Sequence, residues 1–597
     1  MTLSQRARAY GIQPRYSVVD GPDRIPPPDT LERLLQAFGA DELPPLEKVP
    51  RLKAPKGAQC YLPDDGRSWG IALQLYHLRS DRNWGIGDFA DLEDMARIAG
   101  QAGADFLGLN PLHALFLSEP ERCSPFSPSN RRFLNPLYLA VDRVPGFQTE
   151  MADALGLDDL RQSPLVDYRG VAKAKLAALR AIWTQGATLP DDFVTAGGDR
   201  LWRHALFEAL SAEMVAQGHG AGWLGWPPDW QDMEGRAVRD FAAAHEDEIR
   251  FHLWLQYLCR TQLDEVRQVC AKEGMRIGLY LDFAVGEAAD GSGSWGSAHV
   301  LANVRIGAPP DTFNEQGQDW GLAPLSPLAM AREHAAPFRS LIADATGQAG
   351  ALRIDHAMGL WQLFLIPEGA TAAQGTYARY PLGDMLTALA EASRQNNTVI
   401  IGEDLGNVPD GFQEVMAACN ILSYRIFFFE RSEMGFLAPE NYPREALACL
   451  STHDLPTFRG WWRGDDIALR KRFGLTSDTG AQTQERTRQI ERADLLKDLR
   501  ATGWLSREDA VTITPDDAPD ALIRAVHAHL VQAPSRLFAA RLEDLAGAVE
   551  PVNVPATVDE YPNWRHKLAL PLDQLAQTPL FRDTVAALSQ ARPRSRR

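Results

Sequence analysis

The chain has 597 residues, 45% of them hydrophobic and 23% charged, with a formal net charge of -17 at pH 7. These fractions are those of an ordinary soluble globular protein and exclude a disordered or fibrous chain. The acidic excess argues against a nucleic-acid partner, which would demand clustered Lys and Arg, and no apolar run is long enough to span a bilayer.

The first twenty residues scatter Arg6, Arg8 and Arg15 and lack the layout of a secretory leader. Residues 1–63 read as a short lead-in. Leu31, Leu34, Leu35 and Phe38 at helix spacing predict a helix over 29–40, and Pro44, Pro45, Pro50, Pro55 and Pro63 mark a linker. From Gly70 the pattern changes to apolar runs alternating with amphipathic stretches: a strand at 71–75, a helix at 89–102 and a strand at 106–109 make a β-α-β signature. Residues 151–268 break that rhythm with Ala- and Leu-rich helical segments and read as an insertion. Strands resume at 277–281, 352–354, 399–401, 424–429 and 446–450, and 465–545 reads as a second helical insertion. The terminal Arg592, Arg594, Arg596 and Arg597 suggest a solvated, frayed end. Cys60, Cys123, Cys259, Cys270, Cys419 and Cys449 form no Cys-x-x-Cys pair, which fits free thiols in a reducing compartment, so a cytoplasmic protein is expected.

This alternation fits a parallel barrel or a doubly wound open sheet. Placement favours the barrel, because acids follow four separate strands (Asp282, Asp355, Glu403 and Asp454), whereas an open sheet gathers its ligands near one switch point. The expected fold class is α/β, a (β/α)8 TIM barrel over 64–597 with the two helical insertions.

Paired carboxylates at a barrel mouth suit glycosidic chemistry. A retaining enzyme places an acid and a nucleophile about 5 to 5.5 Å apart, with pKa values pushed in opposite directions. Arg353 shares a strand face with Asp355 and would keep it ionised, as a nucleophile requires. Glu403 follows an apolar run and neighbours Asp404; burial and negative charge would raise its pKa toward that of a general acid. Asp454 and the histidines His356 and His453 would grip sugar hydroxyls. The plainer alternative is that each acid is a helix N-cap or an ion-pair partner, as expected for Asp88 in Trp84-Gly85-Ile86-Gly87-Asp88. Of fifteen tryptophans, Trp295 and Trp320 lie beside loops and are the candidates to stack on sugar rings. His527 and His529 are two apart on a helix and make poor joint metal ligands.

Leu73-Gln74-Leu75-Tyr76, Arg82 to Asp88, Arg353-Ile354-Asp355-His356, Gly402-Glu403-Asp404-Leu405-Gly406, Thr452-His453-Asp454, Asn553-Val554-Pro555 and Asn563-Trp564-Arg565 together resemble the amylomaltases, the 4-alpha-glucanotransferases of glycoside hydrolase family seventy-seven. The resemblance implies Asp355 as nucleophile, Glu403 as acid/base and Asp454 as transition-state stabiliser. It further implies Tyr76, Phe126, Asp282, Asp290, Trp295, Arg353, His356 and His453 as subsite residues. Thr312 stands in the acceptor loop where some members carry an aromatic residue. The lead-in is shorter than in members with a large N-terminal extension, so no extra sugar-binding domain is expected.

The expected activity is transfer of an α-1,4-glucan segment to the 4-hydroxyl of another glucan or glucose, with maltooligosaccharides as partners and no metal or organic cofactor. An amylase-type hydrolase would use the same carboxylates and differ in how water reaches the intermediate, and a dead barrel that only binds glucan is the rival from another class.

Overall fold

The computed structural model describes residues 1–594 apart from 18–21, 65, 154, 311–315 and 434. Eight parallel strands form its centre: β1 (Ser68–Leu73), β2 (Phe106–Leu109), β3 (Gly278–Phe283), β4 (Ala351–Ile354), β5 (Val399–Gly402), β6 (Ser423–Ile426), β7 (Ala446–Cys449) and β8 (Leu537–Arg541). Each neighbours the next in chain order, and β8 returns to β1 with Leu537 opposite Ser68. Between β5 and β6 the ring closes through the Gly402 N–H on the Leu422 carbonyl at 2.8 Å and the Leu422 N–H on the Ile400 carbonyl at 2.9 Å.

Side chains alternate between the barrel interior and the helix layer, as the period of two requires. Phe106, Tyr280, Val399, Ile401, Leu447 and Leu537 cluster inside, while Leu107, Leu279, Leu352, Ile400 and Phe538 pack outward. Gly70 of β1 is held to glycine by this packing, since a Cβ there would sit 2.4 Å from the Phe106 ring. The inward parity, carried to the strand ends, aims Asp282, Arg353, Asp355, Glu403 and Arg541 at one mouth.

Helices Tyr168–Thr184, Asp191–Ala216 and Glu246–Lys272, with shorter ones, stand between β2 and β3, and the last packs on Phe89–Gln101. Helices Asp465–Arg472, Asp478–Ala501, Arg507–Thr512 and Asp520–Leu530 follow β7. The range read as a second helical insertion overruns at its end, because β8 lies inside it. The Leu-Phe-Ala-Ala-Arg sequence of β8 has helix-forming alanines and no alternation, but every position is buried, so tertiary burial overrides propensity.

A five-stranded antiparallel sheet absent from the sequence reading runs in the order Thr376–Arg379, Gln362–Pro367, Val304–Ala308, Gln318–Ala323 and Glu287–Ala288. The lead-in joins its edge through the Ile12–Ala378 bridge and the Thr30 hydroxyl on the Gln374 carbonyl at 2.7 Å; its helix spans Pro28–Ala37.

The C-terminal arginines also depart from expectation. Arg592 is 1% exposed and donates to the carbonyls of Val531, Ala533, Ser535 and Ser68 at 2.7 to 3.0 Å. Arg594 donates to the carbonyls of Glu273, Gly100 and Ala104. Arg596 and Arg597 lie outside the described residues. All six cysteines are buried free thiols, and no helix among the described residues is long and apolar enough to cross a membrane.

Candidate active site

Arg353 organises the centre of the mouth. Its Nη1 lies 2.8 and 3.0 Å from the two carboxylate oxygens of Asp282 on β3 and 2.9 Å from Asp355, which follows β4. The next residue, His356, adopts a left-handed conformation (φ 46°), which is uncommon for a side chain of this size. In that conformation its N–H donates to Glu403 Oε2 at 2.8 Å, and the Leu405 N–H donates to Oε1, also at 2.8 Å. The β4 and β5 carboxylates are therefore joined through one strained peptide.

Burial pushes the Glu403 carboxyl up, and the nearby Asp355 adds to this against the opposing pull of Arg353, to about 7. Asp404, expected to be the negative neighbour, turns away and accepts from the Tyr424 N–H at 2.9 Å and from Gln413 at 2.8 Å. Burial pushes Asp282 up as well, opposed by Arg353, and drives the His356 imidazole down to about 4.

Asp454 sits five residues past β7 with 49% of its side chain exposed. His453 Nε2 lies 3.2 Å from one oxygen, and Asn553 donates to the other at 2.7 Å. Against the upward pull of burial, these partners hold its carboxyl down at about 2. None of the three acids caps a helix: the helices after β5 and β7 start from Gly411 and Thr457. Asp88, by contrast, accepts from the Ala90 and Asp91 N–H groups as the expected cap.

The aromatic residues divide into two groups. Phe126 stacks on His453 with centroids 4.5 Å apart, and Trp564, itself at φ 61°, tilts against both. Trp320 meets His356 edge-on at 5.2 Å. Trp295 is 4% exposed, packed between Phe207 and Trp226 with its indole N–H on the Gln231 carbonyl, so its ring face is not open to a sugar. Asp290 is held by both terminal nitrogens of Arg122, at 2.8 and 2.9 Å. Tyr76 is buried beside His77, and its hydroxyl has no hydrogen-bond partner among the described residues. Thr312 lies outside the described residues. The reading of the chain missed Asn553 as a partner of Asp454, although its motif was in view, and missed Arg541 and Glu543, which no acid-after-strand pattern distinguishes.

The mouth thus offers one guanidinium shared by Asp282 and Asp355, two buried carboxyls with raised pKa in Glu403 and Asp282, and an ionised acid at the rim. These are the parts needed for acid-assisted displacement at an acetal carbon.

The sequence model of the 4-alpha-glucanotransferase family matches residues 73–572. The 4-alpha-glucanotransferase of Haemophilus influenzae is 32% identical, covering 97% of this chain and 88% of its own length. That of Mycobacterium bovis is 35% identical, over 87% and 74%. Among solved structures, the amylomaltase of Corynebacterium glutamicum superposes with a TM-score of 0.84 at 26% identity, covering 98% of this chain and 99% of its own. That of Streptococcus agalactiae, in complex with acarbose, gives 0.68 at 18%, over 88% and 98%, and bears on the fold alone.

Proposed function

The chain belongs to the 4-alpha-glucanotransferase family, and we propose that Asp355, Glu403 and Asp454 divide the family's retaining transfer reaction between them. Glu403, protonated, gives its proton to the glycosidic oxygen while Asp355 attacks the anomeric carbon, so the leaving chain departs with a new 4-hydroxyl and the donor fragment becomes an ester of Asp355. An acceptor then enters. Its 4-hydroxyl loses its proton to the Glu403 carboxylate as its oxygen displaces Asp355, and the two inversions leave the α configuration intact.

The observation that carries this reading is the peptide of His356, which ties Glu403 to the residue after Asp355 while Arg353 pairs with Asp355. Asp355 is thereby held beside a guanidinium, and burial keeps its neighbour Glu403 as the proton donor. Asp454, ionised and half exposed, binds sugar hydroxyls as the ring flattens. Phe126 and Trp320 offer ring faces and edges to the sugars, and His356 and His453 donate hydrogen bonds. The substrates are α-1,4-glucans and maltooligosaccharides, and the six buried thiols suit a reducing, cytoplasmic setting.

Incubation with maltotriose alone tests the reading. A ladder of longer maltooligosaccharides together with free glucose is expected. Shortening with no longer product would make the protein a hydrolase, and an unchanged substrate would make it a binding protein.

A further inference from the structure

Arg541 closes β8 on the inward face, is 4% exposed in its side chain, and is reached by no acid of the catalytic set. Its Nε donates to Glu543 at 3.0 Å. Its Nη1 faces three acceptors of the loop after β7: the Ser451 hydroxyl at 3.3 Å, the Leu455 carbonyl at 3.1 Å and the Pro456 carbonyl at 3.4 Å. Glu543 is fully buried, and His77 Nδ1, just after β1, lies 3.3 Å from its second oxygen. Burial would raise the Glu543 carboxyl, but Arg541 and His77 hold it at about 2, so the pair is ionised.

A buried ion pair is a poor source of stability compared with apolar packing. What this one does locally is grip the loop that carries Asp454. Besides the packing of His453 on Phe126 and Trp564, that loop is held by contacts of its own, chiefly the Ser451 hydroxyl on the Pro456 carbonyl at 2.7 Å and the Leu455 N–H on the Thr452 carbonyl at 3.2 Å. Asp454 is half exposed, and among the described residues its carboxylate is held by His453 from the same loop and by Asn553 while its N–H faces the Thr452 hydroxyl at 3.4 Å, so its position is inherited largely from the loop. The rigid guanidinium plane holds the carboxylate through Nε and the loop acceptors through Nη1, while Nη2 has no hydrogen-bond partner among the described residues; a lysine ammonium, with one nitrogen, cannot span both sets of acceptors.

We propose that Arg541, locked by Glu543, is a positioning residue that sets the 451–456 loop and hence the placement of Asp454 in the transition state. The proposal rests on the role given to Asp454 above. A displacement on the order of 1 Å can cost about 100-fold in rate, so Arg541→Lys should lower kcat by roughly 30-fold with KM nearly unchanged. Glu543→Gln, which keeps the shape but loosens the lock, should do the same to a lesser degree.

The deciding experiment is a double-mutant cycle on α-maltosyl fluoride, whose good leaving group keeps weak variants measurable, with rates expressed per folded molecule from near-ultraviolet circular dichroism. If Arg541 acts through Asp454, the Arg541→Lys/Asp454→Asn pair is no slower than Asp454→Asn alone, within about threefold. Losses that multiply would overturn the proposal, as would wild-type kcat in both Arg541→Lys and Glu543→Gln. Asp454→Asn at the wild-type rate would instead sink the role of Asp454, which the single variant reveals by itself.

Discussion

At the N-terminal ends of the strands, Arg592 donates to four carbonyls, while Arg276 makes a two-point pair with Asp105 at 2.6 and 2.7 Å and reaches the Arg67 carbonyl before β1. At the C-terminal ends, Arg353 stands among Asp282, Asp355 and Glu403. At the bottom Arg592 is matched to neutral carbonyls and Arg276 to the Asp105 carboxylate. The mouth sets three carboxyls around one guanidinium, and burial, with the nearby Asp355 adding to it against the pull of Arg353, leaves Glu403 holding a proton into the neutral range. Equivalent side chains therefore serve stability at one rim and chemistry at the other, as barrel folds generally divide their ends.

The largest separation should come from Asp355→Asn. Removing the nucleophile should lower transfer by about 10⁴-fold or more, with the denaturation midpoint within a few degrees of wild type, because Arg353 keeps Asp282. A variant that unfolds instead would make Asp355 a structural ion-pair partner, and the two rims would then be alike.

Arg592→Ala should do the reverse. It removes four hydrogen bonds to buried carbonyls, of which that of Ala533 keeps a second donor in Arg67, and a guanidinium lying 5.6 Å from the Phe538 ring centroid; a loss of about 3 kcal/mol in urea titrations is expected. The kcat and KM of the molecules that remain folded should stay at wild-type values. A fall in kcat would mean that the bottom transmits to the mouth.

How much of this contrast could be read in the sequence depends on local signal. An apolar run closed by an acid is visible in Leu352-Arg353-Ile354-Asp355 and in Val399 to Glu403, so the mouth was legible. β8 was not, because its alanines imitate a helix and only burial on both faces makes it a strand. Arg592 and Arg594 look like any basic tail until the fold brings strand-start carbonyls to them. Trp295 reads as a loop-side residue beside Asp290-Gly291-Ser292-Gly293-Ser294, but Phe207, Trp226 and Gln231, distant in sequence, cover it. The antiparallel sheet was hidden because Gln318–Ala323 is only half-buried and Gln362–Pro367 finds a partner far back in the chain, in Val304–Ala308.

Glu403 sharpens the contrast through pH. With its carboxyl at about 7, kcat/KM should fall tenfold per pH unit above that value as the proton donor is lost, and Glu403→Gln should abolish the limb along with most of the rate. Stability has a definite sign here. A folded pKa above the unfolded value means that between pH 4.5 and about 7 the native state holds a proton the unfolded chain has released, so stability declines across that window and stays lower above it. The difference corresponds to about 3 kcal/mol at most. Glu403→Gln should therefore gain on wild type in urea midpoint from pH 5 to pH 8. An equal gap at both pH values would show that the carboxyl is not raised.

The smallest effect expected is that of Asn553→Ala, and it tests whether the rim of the mouth follows the same logic as its centre. Asn553 donates one hydrogen bond, at 2.7 Å, to a carboxylate half open to water, so water replaces much of what is lost on folding. Stability should change by less than about 0.5 kcal/mol. The transition state gains more from a fixed carboxylate than the folded state does, so kcat should still fall about fivefold, corresponding to about 1 kcal/mol. Asn553 is a smaller cause than His453 of the depressed Asp454 carboxyl, so any acid limb of the pH profile should move up only slightly. A stability loss comparable to that of Arg592→Ala would mean that hydrogen bonds at the mouth hold the fold together as those at the bottom do, and the division of labour between the two ends would fail.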